Sequence, residues 1–179
     1  MIPVYTWRLY DATYKLSLLS KRQENTSKLI QRARLWIEIG NVRALTGKPG
    51  FVPHIIVRNA GHMPAGKVSW IFGKPHFTTD NDWNPQDPEG ESRGNVTLAP
   101  GAAMKQGGPP FGLPDDAPDA AYLYIWGCVS NHDGFEPGRF TQFSHRYNME
   151  LMHRDVEKTG SPAFPEEAYR YNRYYNDAS

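Results

Sequence analysis

The residues best placed to do chemistry form a run of oxygen donors, Asp80, Asp82, Asn84, Gln86 and Glu91. They fall at the first, third, fifth, seventh and twelfth positions of a loop, the spacing with which EF-hand loops surround calcium. The sixth position of such a loop needs a left-handed turn, ordinarily a glycine. Pro85 stands there, and its ring fixes φ near about −65°. Strand-like rather than helical segments flank the loop. A solvated acidic loop over residues 78–94 is therefore the expectation, with Asp87 and Glu89 adding charge and no cation before Arg93.

Nucleophilic and zinc chemistry find no better footing. The six histidines, His54, His62, His76, His132, His145 and His153, form no HExxH motif and no pair at helical spacing. His54 and His76 fall in strand segments whose adjacency would bring them together. Cys128 and His132 share one face of an extended chain, but about 13 Å separates them along it, too far for a thiol–imidazole pair. Cys128 reads as a small core residue, and a single cysteine makes no internal disulfide. No GxSxG elbow occurs, and Gly107-Gly108-Pro109-Pro110 lacks the lysine and helix of a phosphate loop. No catalytic residue, cofactor ligand or metal ligand is assigned, and no enzyme activity is expected.

The elements that carry these residues divide into three stretches. Residues 1–34 are read as a helix, residues 35–148 as a β domain and residues 149–179 as an aromatic-rich tail. From Trp7 to Arg34 there is neither Gly nor Pro. Leu9, Leu16, Gln23 and Ile30 recur every seventh residue, with Ala12, Leu19, Thr26 and Ala33 in a second register. That is a heptad-like stripe with two polar interruptions. Residues 1–35 hold seven cations against two anions, a net of +5, in a chain whose net charge is +1. Lys21, Arg22, Lys28, Arg32 and Arg34 suit an anionic lipid surface, where each contributes roughly 1 kcal/mol. Without an aromatic stacking face, and with a pI near 7.9, nucleic acid is not an expected partner.

Past Arg34 the periodicity shortens. Leu35, Ile37 and Ile39 alternate, His54–Arg58 forms a second strand, and Val68, Trp70 and Phe72 share a face of a third over 66–72. Asn95–Leu98 is a short fourth. Ala121–Val129, apolar on both faces, belongs at the centre of a sheet. Arg139–Tyr147 follows the turn Asn131-His132-Asp133-Gly134, with Phe140 and Phe143 of opposite parity implying a bulge or a two-sided strand. Residues 100–119, with five prolines and four glycines, are expected to build little regular structure. Phe164, Tyr169, Tyr171, Tyr174 and Tyr175 are expected to lie along the domain surface. The chain reads as mostly β, an antiparallel sandwich behind one N-terminal helix.

Several segments together carry a resemblance. They are Ala33-Arg34-Leu35-Trp36-Ile37, then Val57 to Ala65 (Val-Arg-Asn-Ala-Gly-His-Met-Pro-Ala), Leu98-Ala99-Pro100-Gly101, Tyr124-Ile125-Trp126-Gly127 and Arg139-Phe140-Thr141-Gln142-Phe143. Their order resembles a group of small bacterial envelope proteins with a transmembrane helix, a juxtamembrane helix and one immunoglobulin-like β-sandwich. The stretch Asn59-x-Gly61-x-x-Pro64-Ala65 is also similar to immunoglobulin-like adhesion modules of bacterial surfaces, with Asn59 and Gly61 expected in a turn that needs positive φ. The resemblance implies a non-enzymatic binding or accessory module of the bacterial cell envelope, with a protein partner, an anionic membrane surface or further copies of itself as the things it meets. It implies no cofactor. No run of 18 apolar residues and no signal peptide occurs, so the sequence as it stands reads as soluble, or as starting short of a membrane span. A metal-dependent or enzymatic module using the 78–94 loop, and a structural subunit assembling through the helix, are the alternatives.

Overall fold

The computed structural model describes residues 4–45, 50–113, 120–135, 138–152, 164–173 and 175–176. Helix α1 (Val4–Gln31) is 28 residues long, or about 42 Å. Its stretch without Gly or Pro lets it run unbroken, and the i,i+4 ion pairs Lys15–Asp11 at 2.7 Å and Lys28–Glu24 at 2.6 Å brace it. The helix ends short of the expected Arg34. The Arg32 amide still closes the last turn on the Lys28 carbonyl at 3.1 Å, whereas the Ala33 and Arg34 amides turn to Asp133 and Asn59, and the Arg34 guanidinium donates to the Leu29 carbonyl at 3.3 Å. Ala33, expected on the helical stripe, is instead buried in the core.

Nine strands follow among the described residues. They are β1 (Leu35–Ala44), β2 (Phe51–Asn59), β3 (Ala65–Phe72), β4 (His76–Thr78), β5 (Arg93–Leu98), β6 (Ala103–Gly107), β7 (Tyr122–His132), β8 (Arg139–Asn148) and β9 (Tyr169–Tyr171). They form two antiparallel sheets: three strands in the order β1-β2-β6, and six in the order β5-β3-β7-β8-β9 with β4 also on β7. One apolar core joins the sheets, with Ile37, Val42, Ile55 and Val57 on one side and Val68, Leu123, Ile125, Val129, Phe143 and Tyr147 on the other. β7 is central, as its two-sided apolarity predicts. Leu123 and Ile125 enter the core, while Tyr124 is buried on the opposite face. β8 pairs with β7 in unbroken register from Asn148 to Arg139. Phe143 therefore points into the core and Phe140 outward, so the strand is two-sided and contains no bulge.

Three strands escaped the periodicity. β6 lies in the 100–119 spacer, which was expected to be irregular. Its five residues, Ala-Met-Lys-Gln-Gly, hold no proline, and they pair with β2 from Arg58↔Ala103 to His54↔Gly107. β4 continues the line of β3 along β7. β9 is the aromatic tail, which adds a strand to β8 while Phe164 enters the core. Tyr174 and His153 lie outside the described residues.

The helix, both sheets and their turns meet at Asn59. This side chain is fully buried at the end of β2. Its Oδ1 accepts from the Arg34 amide at 3.3 Å and the Gly61 amide at 3.0 Å, and its Nδ2 donates to the carbonyls of Met63 at 2.8 Å and Leu98 at 3.0 Å. Its backbone bonds Ala102 and Gly101. Neither Asn59 nor Gly61 has positive φ, contrary to expectation. A Cβ on Gly61 would lie 2.2 Å from the Arg32 carbonyl oxygen and 2.5 Å from the Arg34 nitrogen. Glycine is required because the helix–sheet junction lies directly on it.

Two outcomes follow. Asn59→Ala orphans four backbone groups at a dry site and lowers unfolding free energy by about 3 kcal/mol, read by urea denaturation. His145 is fully buried on β8, and neither ring nitrogen has a hydrogen-bond partner among the described residues. Burial holds its imidazole down to about 3. The unfolded chain takes up a proton near pH ~6.5 that the folded chain refuses, so stability falls as pH drops from about 6.5 toward 3, by up to about 1.4 kcal/mol per unit. His145→Leu flattens that dependence in denaturation curves taken at neutral and mildly acidic pH.

Candidate functional site

The 78–94 segment is a strap across the outer face of the six-stranded sheet. Trp83 anchors it: the indole stacks on His76 at 4.2 Å and meets Trp126 at 4.8 Å and Tyr124 at 5.2 Å between ring centroids. Pro85, at the position an EF-hand reserves for glycine, is buried beneath the strap. The carboxylates turn to separate partners. Asp80 Oδ1 accepts from the Asp82 amide at 2.8 Å, Asp82 pairs with Arg173 of the tail at 3.3 Å, and Asp87 accepts from the Tyr175 hydroxyl at 2.9 Å and Gln142 at 3.2 Å. Arg146 of β8 bonds Asn81. Among the described residues, no three His, Cys, Asp or Glu side chains gather as metal ligands would. The acidic spacing holds a strap to a sheet and to the tail, which is why its donors do not converge.

The remaining candidates are dispersed. His54 lies on β2 of one sheet and His76 on β4 of the other, so they are not neighbours. Burial is the main reason that both imidazoles titrate below their ordinary range. Cys128 is not a core residue: it is half-buried on β7, and burial followed by the nearby Asp87 carboxylate pushes its thiol up. That direction opposes a reactive thiolate. His132 accepts from the Gly134 amide at 3.2 Å within its own turn.

A second feature lies where the helix meets the sheets. A cleft of about 370 Å³ opens there, lined by Leu29, Arg34, Leu35, Trp36, Asn131 and Phe140 among others. Behind it Asp133, fully buried, pairs with Arg32 at 3.3 Å and Arg139 at 3.4 Å, and its other oxygen accepts from the Phe135 amide at 2.9 Å. The Asp133 carbonyl also accepts from the Ala33 amide at 3.3 Å. Periodicity counts Arg32 and Arg34 among the surface cations of the helix. In the fold the first is largely buried against Asp133, and the second caps α1. Asp133 gave one signal in sequence, its place in an Asn-His-Asp-Gly turn, which does not announce an ion pair with a helix a hundred residues earlier.

The helix itself is exposed along most of its described length. Leu9 is 70% exposed, Leu16 66% and Ile30 59%, and Trp7, Tyr14 and Leu18 on another side are open too. Lys21 and Arg22 have no ion-pair partner among the described residues, while Lys15 and Lys28 are paired within the helix. Among the described residues no helix is long and apolar enough to cross a membrane. No protein-family model, curated protein or solved structure matches the chain.

Asp133→Asn removes the charge between two arginines while keeping an acceptor. Its expected cost is about 3 kcal/mol, because cations are left facing a dry site without their counter-ion. The urea midpoint reads that loss, and an unchanged midpoint would refute the ion pair's role.

Proposed function

We propose that the chain is a non-enzymatic binding or accessory module of the bacterial cell envelope, an immunoglobulin-like sandwich carried on a helix that docks to an anionic membrane surface. The strand orders support the sandwich reading: β1-β2-β6 follows an A-B-E connectivity and β5-β3-β7-β8 a C′-C-F-G one. Trp70, buried on β3, stands on the strand where such domains keep a buried tryptophan. The observation that carries the docking reading is the exposure of α1. A helix with apolar side chains on opposite sides and unpaired cations at its middle is poorly matched to water. Its Trp and Tyr, with Lys and Arg beside them, are the residue types that a headgroup region takes up. The cleft at its base, rimmed by the exposed Trp36 and Phe140, is the surface offered to a protein partner.

Assembly of copies is the second reading, favoured by the exposure of Leu9, Leu16, Leu19 and Ile30 on one heptad stripe. Sedimentation with anionic and neutral vesicles separates the two. The expected result is salt-sensitive binding to anionic vesicles only, weakened roughly 30-fold in Lys21→Gln with Arg22→Gln at about 1 kcal/mol per charge removed. A concentration-dependent oligomer with no vesicle binding would favour assembly instead.

A further inference from the structure

The outer face of the three-stranded sheet gathers bases without an acid between them. In β2 the residues Phe51, Pro53, Ile55 and Val57 are buried, so His54 and Ile56 face outward. Arg43 pairs with Val52 across β1, Lys105 pairs with Ile56 across β6, and His54 lies in the row between them. Glycine stands beside it on β6: a Cβ on Gly107 would lie 3.6 Å from His54 Nε2, so no side chain from that neighbour covers Nε2, while Nδ1 is buried.

Neither Arg43 nor Lys105 has an ion pair or hydrogen bond among the described residues, and both are exposed. The acid on this face, Glu38, is held by Arg58 at 2.7 Å. Burial first, then the cations of Lys105 and Arg43, keeps the His54 imidazole below its ordinary range; burial and Arg43 lower Lys105 in the same way. Three basic groups from three strands thus repel one another, an arrangement an anion relieves. A forked guanidinium, a point-charge ammonium and an imidazole set on three neighbouring strands match the several oxygens of a phosphate better than the two of a carboxylate.

We propose that Arg43, His54 and Lys105 form a binding site for a phosphate group, carried by a lipid headgroup or a soluble ester, on the open face of the three-stranded sheet. The site rests on that face alone and stands whether or not the helix meets a membrane. An anion favours the imidazolium form of His54, so binding strengthens as pH falls below the ordinary imidazole range, where the lowered His54 takes up its proton. Lys105 and Arg43 are the charged groups acting on that imidazole, from β6 and β1.

The test is an NMR titration of the full chain with inorganic phosphate, following the His54 ring and the amides of the three strands, beside Arg43→Ala with Lys105→Ala. Lys105→Gln alone serves as a second variant of gentler shape change. Expected are saturable shifts centred on residues 43, 54 and 105, an upward move of the His54 titration, and affinity lower by about tenfold or more in the variants. Vesicles of phosphatidic acid, run in parallel on the same proteins, assign the source. Loss of vesicle binding in the variants without saturation by free phosphate identifies a headgroup, and loss of phosphate saturation alone identifies a soluble ester. Equal binding of wild type and variants to both probes overturns the site.

Discussion

Everything at the helix end of this molecule depends on satisfying one buried amide. Asn59 has two donors and an acceptor with two lone pairs, and all four are used on backbone groups from four separate places: Arg34, Gly61, Met63 and Leu98. An amide of this kind is costly to bury unless its partners are all present. The helix exit, the β2–β3 turn and the end of β5 must therefore assemble together. Gly61 completes the constraint by letting the 32–34 backbone lie against it without a side chain between.

Asp133 applies a second clamp from the opposite sheet. Its carboxylate draws Arg32 and Arg139 together, and its carbonyl takes the Ala33 amide. Two buried polar residues, one at the end of β2 and one in the β7–β8 turn, thus share the three helix-exit residues: Asn59 holds Arg34, and Asp133 holds Arg32 and Ala33. Among the described residues only the base of α1 is fixed in this way. Beyond it the apolar and basic side chains face outward, and the proposed docking rests on that exposure. At the other extreme of the fold, the strap lies across the outer face of the six-stranded sheet, tied there to Arg173 and Tyr175 of the tail.

Long elements were legible because their patterns are locally complete. The alternation of Val68, Trp70 and Phe72 and the two-sided apolarity of β7 translate directly into burial. The short strands were not legible: β4, β6 and β9 are three to five residues long and owe their strand character to the neighbour that pairs them. Loop chemistry was legible only as a question. Pro85 argued against a calcium loop from φ alone, but the anchoring of that loop by Trp83 on His76 joins residues whose relation depends on the folded sheet. Gly61 shows the same limit. Its presence beside Asn59 signalled a special backbone position, and the reason, a close approach by residues 32–34, is long-range. For the outward cluster of Arg43, His54 and Lys105, register is decisive, and β6 had no local signal from which register could be drawn.

Helix α1 is anchored at its base and stands clear of both sheets. A nitroxide spin label at position 18, in the middle of the helix, tests this through paramagnetic broadening of the amide spectrum in dilute protein. Broadening confined to α1 is expected, with the amides of Trp36, Ile56 and Phe140 unaffected. Strong broadening along either sheet would show the helix folded back on the domain, and would remove both the exposed docking surface and the role proposed for it.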